Sequence, residues 1–556
     1  MVASPTQRNR SMNALDDLWR QHLPVLPVLL PMATALLLLA LGDGQGTSTH
    51  HGHAIARNRL IALASTGLGL LLALATLMSA GDGTLHVYRL GEWPAPFGIV
   101  LLVDRLAAIM LVLTAMVALP ALLHARTDWD RRGRHFHALF QFQLMGLNGA
   151  FLTGDLFNLF VFFEVLLIAS YTMLIHGQGA ERFRRGVHYV VLNLAASALF
   201  LIALGLLYAS TGTLNMAHAA VRIAEVPEAT AALARASGLI LLVVFGLKAA
   251  LLPLHGWLPA TYAAASAPVA ALFAIMTKVG VYSIIRVHSV IFGPGEGLAA
   301  SVAVPWLLPL ALATSVLGVL GALAAPGLTR MVGSLTVASV GTILIGVGTF
   351  TPQGLSAALF YLLHSTLIAA AMFLLAEQIA AQRGHSGDRL LPAAAVRDRT
   401  LLGLLMLLTA AWAAGIPPLP GFMGKIMLLS GTAEHVKQPW IWFVVLGVGF
   451  LTLLGLARAG VTLFWHVDAR VGPHTAQDES SPRTLSAIGL LWMFGLTLMV
   501  FASPVKRYID DAVVQMGDRD HYANAVLGQD SRPGLLRPYD GRKPEAPRSH
   551  AKGGQD

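Results

Sequence analysis

The chain has 556 residues, 55% of them hydrophobic and only 12% charged, where an average soluble domain carries about 25% charged residues, so a water-soluble fold is excluded. The formal net charge is +9, yet the basic residues fall in the gaps between apolar runs and form no single basic face, which speaks against nucleic acid as a partner. Without any cysteine, the chain cannot supply disulfides, thiolate metal sites or iron–sulfur ligands, and redox chemistry would need another subunit.

Apolar runs recur from Leu23 almost to Pro504. Each is about 20 residues long, enough to cross a hydrocarbon core of roughly 30 Å, and together they predict an all-α polytopic membrane protein with about fourteen transmembrane helices. The spans fall near 23–41, 61–80, 99–123, 136–153, 156–175, 187–209, 237–261, 265–290, 305–324, 331–349, 355–381, 400–432, 440–465 and 485–503. The first is broken by Pro24, Pro27 and Pro31 and lacks a small-residue cleavage site, so it reads as a span and not as a signal peptide.

Between the first two spans, His50, His51 and His53 sit in a Gly/Thr/Ser loop with no other ligand near, so neither a metal site nor any cofactor is expected. Arginines crowd alternate loops: Arg57 and Arg59, Arg126 to Arg134, Arg182 to Arg185, Arg330, Arg383 to Arg399, Arg470 and Arg483. By the positive-inside rule that side is cytoplasmic and both termini lie outside, although Arg8, Arg10 and Arg20 run against this. Beyond Pro504 come Asp510, Asp511, Arg519 and Asp520 and then a Pro/Gly/Arg-rich end, a composition that predicts an exposed, partly disordered tail over 505–556.

Two spans are interrupted in comparable places, one by Pro253 and one by Pro417, Pro418 and Pro420; Lys248 and Lys425 each lie five residues from a proline. Proline has no N–H for the carbonyl four residues back, which frees the carbonyls of Ala249 in the first span and of Ala413, Ala414 and Ile416 in the second. Broken helices persist in a membrane only where protein or water meets the freed groups, and a matching pair points to repeated halves with sites near the midplane. A plain proline kink is the alternative for either span alone.

Glu164 lies near the middle of its span, where a charge costs about 2.5–3.5 kcal/mol and normally faces a partner or a wet cavity. Lys248, Lys278 and Lys425 are the lysines within the apolar spans of a chain that uses arginine almost everywhere else. Arginine does not give up its proton, whereas a buried lysine can, so the three lysines read as proton carriers. A carboxylate about 4 Å from a lysine stabilises its charged form by roughly 4 kcal/mol at an effective dielectric near 20. Moving or neutralising Glu164 would then turn Lys248 from proton holder into proton donor. His255 and His364 are candidate relay groups, because neutral imidazole both donates and accepts a proton; Glu377 lies farther along the His364 span. A static salt bridge at Glu164, interhelical hydrogen bonds at the histidines and snorkelling at Lys425 are the structural alternatives.

Four stretches carry a resemblance to the D subunits of the multisubunit Mrp-type (Pha-type) sodium or potassium/proton antiporters, within the group of antiporter-like subunits that includes those of respiratory complex I. They are Asp155-Leu156-Phe157-Asn158 through Phe163-Glu164, Gly246-Leu247-Lys248 through His255-Gly256-Trp257-Leu258-Pro259, Ala267-Pro268 with Met276-Thr277-Lys278-Val279-Gly280, and Gly415-Ile416-Pro417-Pro418 through Gly424-Lys425. The resemblance covers nearly all the spans. It implies two inverted five-helix repeats with broken helices, 136–290 and 305–466, with N-terminal helices over 1–135 and a C-terminal helix and loop over 467–504. It also implies a Glu164 and Lys248 pair, a central Lys278 and a terminal Lys425. Complex I relatives often carry a lysine four residues after the histidine matching His364, where this chain has Ile368.

The expected function is that of a proton-translocating subunit of a monovalent cation (Na+ or K+)/proton antiporter, a secondary transporter and not an enzyme, in a bacterial inner membrane with other antiporter subunits as partners. The alternative is a proton-pumping subunit of a complex I-like or membrane-bound hydrogenase assembly, separable by the subunits that copurify. A self-contained solute transporter would need a polar cluster that the sequence does not display and would act without partners; a scaffold would tolerate loss of all three lysines.

Overall fold

In the bilayer every backbone N–H and C=O must be satisfied within the protein, and helices do this segment by segment. The computed structural model describes residues 21–43, 48–294, 297–393, 395–466 and 482–528, and these are folded mostly into α-helices. The N-terminal helices are α1 (Leu26–Leu41), α2 (Ser48–Ser79) and α3 (Arg105–Ala125). Then come α4 (Phe136–Leu152), α5 (Leu156–Ile175), α6 (Ala180–Thr211), the short α7 (Met216–Ala224), α8 (Glu228–Ala249), α9 (Trp257–Ala264) and α10 (Ala267–Val290). A second run holds α11 (Val304–Leu323), α12 (Leu328–Val347), α13 (Pro352–Ala381), α14 (Arg399–Ala414), α15 (Pro420–Gly431) and α16 (Gln438–Phe464). The chain closes with α17 (Pro482–Val500), α18 (Ala502–Gly517) and α19 (Arg519–Leu527).

Among the described residues ten helices are long and apolar enough to cross a membrane, or eleven if α17 and α18, bent by 78° to one another, count as one span. The expected fourteen is not reached by such helices, because three of the predicted spans are short here. α1 has 16 residues, α4 has 17, and the 400–432 span is divided into pieces of 16 and 12.

Other expectations change locally. The run 99–123 does not begin as helix: Val100–Val103 is a strand, antiparallel to His86–Arg89 with Val103 opposite His86. Asp104 caps the helix that follows, accepting the N–H of Ala107. His50, His51 and His53 belong to the first turns of α2 and not to a loop, and among the described residues no group of three or more His, Cys, Asp or Glu is placed to hold a metal. Residues 505–528 of the expected tail are mostly helical, with Ile509, Ala512, Tyr522 and Val526 buried. The tail from 529 on, Arg470 and the basic residues before 21 lie outside the described residues.

The arginine-rich loops meet at one end of the bundle. Asp43 faces His135, Arg59 pairs with Asp130, Arg182 lies over the Trp129 ring and donates to the Ala264 carbonyl. The opposite end gathers Arg105, Asn215, Ser289 and α18–α19. Within the bundle, α10 is buried along its whole apolar stretch and α13 almost so, while α2, α6 and α16 leave most of theirs outward. The helices that carry Lys278 and His364 are therefore the central ones, and the outer helices give their apolar side chains to lipid.

Candidate functional site

The site begins where α8 stops. Ala250 adopts a left-handed φ of 61° and the Leu251 N–H closes back on the Gly246 carbonyl at 2.7 Å. Pro253 then offers no N–H with which to resume the helix. Side chains meet the loosened backbone: Thr314 Oγ1 on α11 accepts the Leu252 N–H at 2.9 Å, and the Trp257 indole donates to the Leu247 carbonyl at 3.1 Å. The second break is built alike. Gly415, with φ 80°, ends α14, and Ile416 N–H closes back on the Ala411 carbonyl at 2.9 Å.

Each break holds a lysine at the negative end of a half-helix, where the last carbonyls favour a cation. Lys248 lies in the final turn of α8 and is buried. The Lys425 ammonium turns inward from α15 and donates to the carbonyl of Ala414, the last residue of α14. That carbonyl is among those the prolines are expected to free, and the inward bond argues against snorkelling. Of the other freed carbonyls, that of Ile416 accepts the Leu419 N–H in a turn.

Glu164 and Lys248 are not joined directly. The Lys248 Nζ donates to Asn193 Oδ1 at 2.8 Å, and the Ser197 hydroxyl donates to Glu164 Oε1. Asn193 and Ser197 are four residues apart on α6 and so share a face one turn apart. The two charges thus stand on adjacent steps of one helix, and the Glu164 carboxylate acts on Lys248 through space. A void of ≈ 10 Å³ beside Lys248 and Asn193 is bounded by Met276 and Val279 of α10, at the lower limit for one water.

Lys278 on α10 is fully buried and its ammonium contacts Thr277 Oγ1 at 3.2 Å. Two residues on, Gly280 brings α10 against the α8 backbone: a Cβ there would stand 2.5 Å from the Ala249 nitrogen. Small residues permit such close crossings in membranes. Across α10, Lys278 and Lys425 both act electrostatically on His364. His364 is buried on α13 with Tyr361 edge-on at 4.4 Å, and neither ring nitrogen has a protein partner. It shares a cavity of ≈ 40 Å³ with Lys425 and Ile368, lined also by Thr336, Ser339, Thr342, Ser365 and Thr452, whose hydroxyls each donate to a carbonyl of their own helix. That is room for a water, which needs ~10–15 Å³ and two or more polar partners. The apolar side chain of Ile368 is one wall of this cavity. His255 stands apart: it is half-buried in the break and makes no hydrogen bond to any of the three lysines.

The profile of the family described as NADH:quinone oxidoreductase/Mrp antiporter, TM, matches residues 153–454. The stretch contains Glu164, both breaks and all three lysines. The probable D subunit of a K+/H+ antiporter of Rhizobium meliloti is 39% identical over 523 residues, 88% of this chain and 95% of that protein. The chain belongs to the NADH:quinone oxidoreductase/Mrp antiporter family. The D subunit of the Na+/H+ antiporter of Bacillus subtilis is 36% identical over 465 residues, 82% of this chain and 90% of its own. A chain in the structure of the Mrp complex from Dietzia sp. DQ12-45-1b superposes with a TM-score of 0.78 at 27% identity, covering 92% of this chain and 99% of that one.

In this family member several polar residues near the lysines escaped the sequence reading. Asn193 and Ser197 are two; an i, i+4 polar pair on an otherwise apolar stretch of α6 was the available signal. Arg286, inside the apolar α10, was another. It forms a buried two-pronged pair with Asp104, Nη2 to Oδ1 at 2.9 Å, and also donates to the Tyr282 hydroxyl. Glu377 is held between His124 Nε2 and the Trp129 indole at the arginine-rich end, and so stands at the mouth of the bundle, not beside His364. Nearby in the loop, burial pushes the Asp130 carboxyl up, but hydrogen bonds from Arg59 and His137 outweigh it and hold the group at about 2.

Proposed function

We propose that the chain is the proton-translocating D subunit of a multisubunit Na+ or K+/proton antiporter in a bacterial inner membrane. The observation that carries this reading is the row of three lysines, the buried Lys248 and Lys278 and the half-buried Lys425, two of them seated at half-helix ends within a family whose named relatives are cation/proton antiporter subunits. Residues 136–290 and 305–466 act as two inverted repeats, each giving one broken helix to the path.

Protons pass between Lys248 and Lys278, then by His364 and water in the cavity it shares with Lys425. Glu164 on α5, held by Ser197 one turn of α6 from Asn193, sets the charge of Lys248, and small movements of α6 alter how firmly Lys248 keeps its proton. The roles of Na+ or K+ belong to the assembled complex, whose other membrane subunits are the expected partners. Cation-dependent proton exchange in vesicles tests the reading: Lys248→Ala and Glu164→Ala complexes should assemble and lose most exchange. Full exchange by normally assembled variants would overturn it, and copurification with quinone or hydrogenase subunits would move the chain to a redox-driven assembly.

A further inference from the structure

At the end of the bundle opposite the arginine-rich loops, a cleft of ≈ 550 Å³ opens between the last turn of α10, the α12–α13 turn and the α18–α19 junction. His288, two residues from the end of α10, lines this cleft yet is only 2% exposed, and neither ring nitrogen has a protein partner. Burying such a group unmatched costs about 1–3 kcal/mol, so its polar atoms are retained at a cost that packing alone does not explain. The other wall of the cleft brings Asp518, Arg519 and Asp520. Arg519 donates to the Ser289 carbonyl at 2.8 Å and thereby ties α19 to the turn that holds His288.

The same helix leads inward to Lys278. Ten residues separate the two, about 15 Å along the axis, and positions 278, 281, 285 and 288 fall on one side of α10 by helical spacing. Ile284 and Ile285, between the two in sequence, also line the cleft. Arg286, on the adjacent turn, is occupied by Asp104, and a guanidinium does not give up its proton. Of these two groups of α10, His288 is the one able to exchange a proton, while Asp518 and Asp520 stand on the facing wall of the cleft.

We propose that His288 is the proton-exchange residue of an outer mouth that connects this cleft to Lys278. A hydrated proton in the cleft bonds to one ring nitrogen and leaves neutral water behind, while the N–H of the other ring nitrogen breaks and its proton passes to the unprotonated Lys278 amine; the imidazole ends neutral, with its proton on the opposite nitrogen. The charged groups that tune it are Asp518, Arg519 and Asp520 on the facing elements and the Arg286 and Asp104 pair beneath; the α12–α13 turn adds only uncharged residues to the lining.

This inference rests on the proposed relay, and the test separates the two. In vesicles of the complete complex, with pH varied on the face that bears the cleft, His288→Gln should slow cation-dependent proton exchange about tenfold or more. His288→Glu, which can carry a proton, should recover exchange with its optimum moved to lower pH on that face alone. A role in packing alone predicts the reverse order, because glutamine is the milder replacement. Full exchange by His288→Gln while Lys278→Ala is inactive would overturn the outer mouth and leave the relay standing. Full exchange by Lys278→Ala as well would overturn both. If the Gln variant does not accumulate, His288→Asn makes the same test, and loss in both Gln and Glu variants of normal assembly refutes the proposal.

Discussion

At Gly280 the helices that carry Lys278 and Lys248 touch backbone to backbone. A Cβ at that position would stand 2.5 Å from the Ala249 nitrogen and 2.7 Å from the Phe245 carbonyl, where ordinary contact begins near 3.4 Å. Gly280→Ala must therefore part α10 and α8 by close to 1 Å, since neither neighbour is a side-chain tip able to swing aside. Overpacking of this sort costs about 1–3 kcal/mol, and a misplacement of about 1 Å between reacting groups can slow a reaction 10²-fold. The variant should reach the membrane in reduced amount and show, per assembled complex, at least about tenfold slower cation-dependent proton exchange. Immunoblots of the assembled complex and vesicle exchange rates give the two numbers separately. Gly205→Ala is the matched control, because a Cβ on that exposed face of α6 meets nothing within 4 Å. Wild-type amount and wild-type rate in Gly280→Ala would show that the spacing of the two lysine-bearing helices does not govern transport.

Asn193→Leu removes the oxygen that holds the Lys248 ammonium, a bond of the charged class worth about 1.5–3 kcal/mol; exchange should fall about tenfold with assembly kept, and an unchanged rate would show that Lys248 does not depend on it. Asp104→Asn leaves Arg286 buried without its carboxylate at a cost of about 3–5 kcal/mol, so the complex should melt earlier in detergent, whereas pairing it with Arg286→Met should recover part of the loss. Asp130, held at about 2 against an ordinary 3.8, contributes about 2 kcal/mol that is present above pH 4 and lost as pH falls toward 2. Asp130→Asn should accordingly lower the melting temperature at pH 6, by an amount that shrinks as the medium is acidified below 4.

The residues most legible in the sequence are those whose presence in a membrane is most expensive. Glu164 and the three lysines stand out against apolar neighbours, and the prolines announce both breaks, because a missing N–H has the same consequence in any context. What the sequence could not display is partnership. Nothing in the spacing of Asn193 and Ser197 says that one meets Lys248 and the other Glu164, so a direct contact of the two charges is the natural expectation, and they are instead held one turn apart on α6. The apolar run 99–103 gave no sign of being a strand, since five hydrophobic residues in a row suit a strand as well as a helix until a partner such as His86–Arg89 is found. Residues 505–527 read as tail because their mean composition is polar; Ile509, Val513 and Met516 nevertheless recur at helical spacing and make one apolar face.

The contacts of α18 and α19 bear on how the protein is made. Tyr508 donates to the Leu77 carbonyl at 2.9 Å, Gln515 donates to the Gly83 carbonyl and accepts the Arg105 N–H, and Arg89 donates to the Val526 carbonyl. Each bond spans more than 400 residues of chain. At about 5–20 residues per second of synthesis, the segment from Leu77 to Arg105 emerges about 20–80 s before its partners exist. Until then the membrane-inserted N-terminal helices keep a row of unmatched backbone groups at one end. Residues 502–527 thus act as a late clasp, closing over backbone groups that the N-terminal segment presents first.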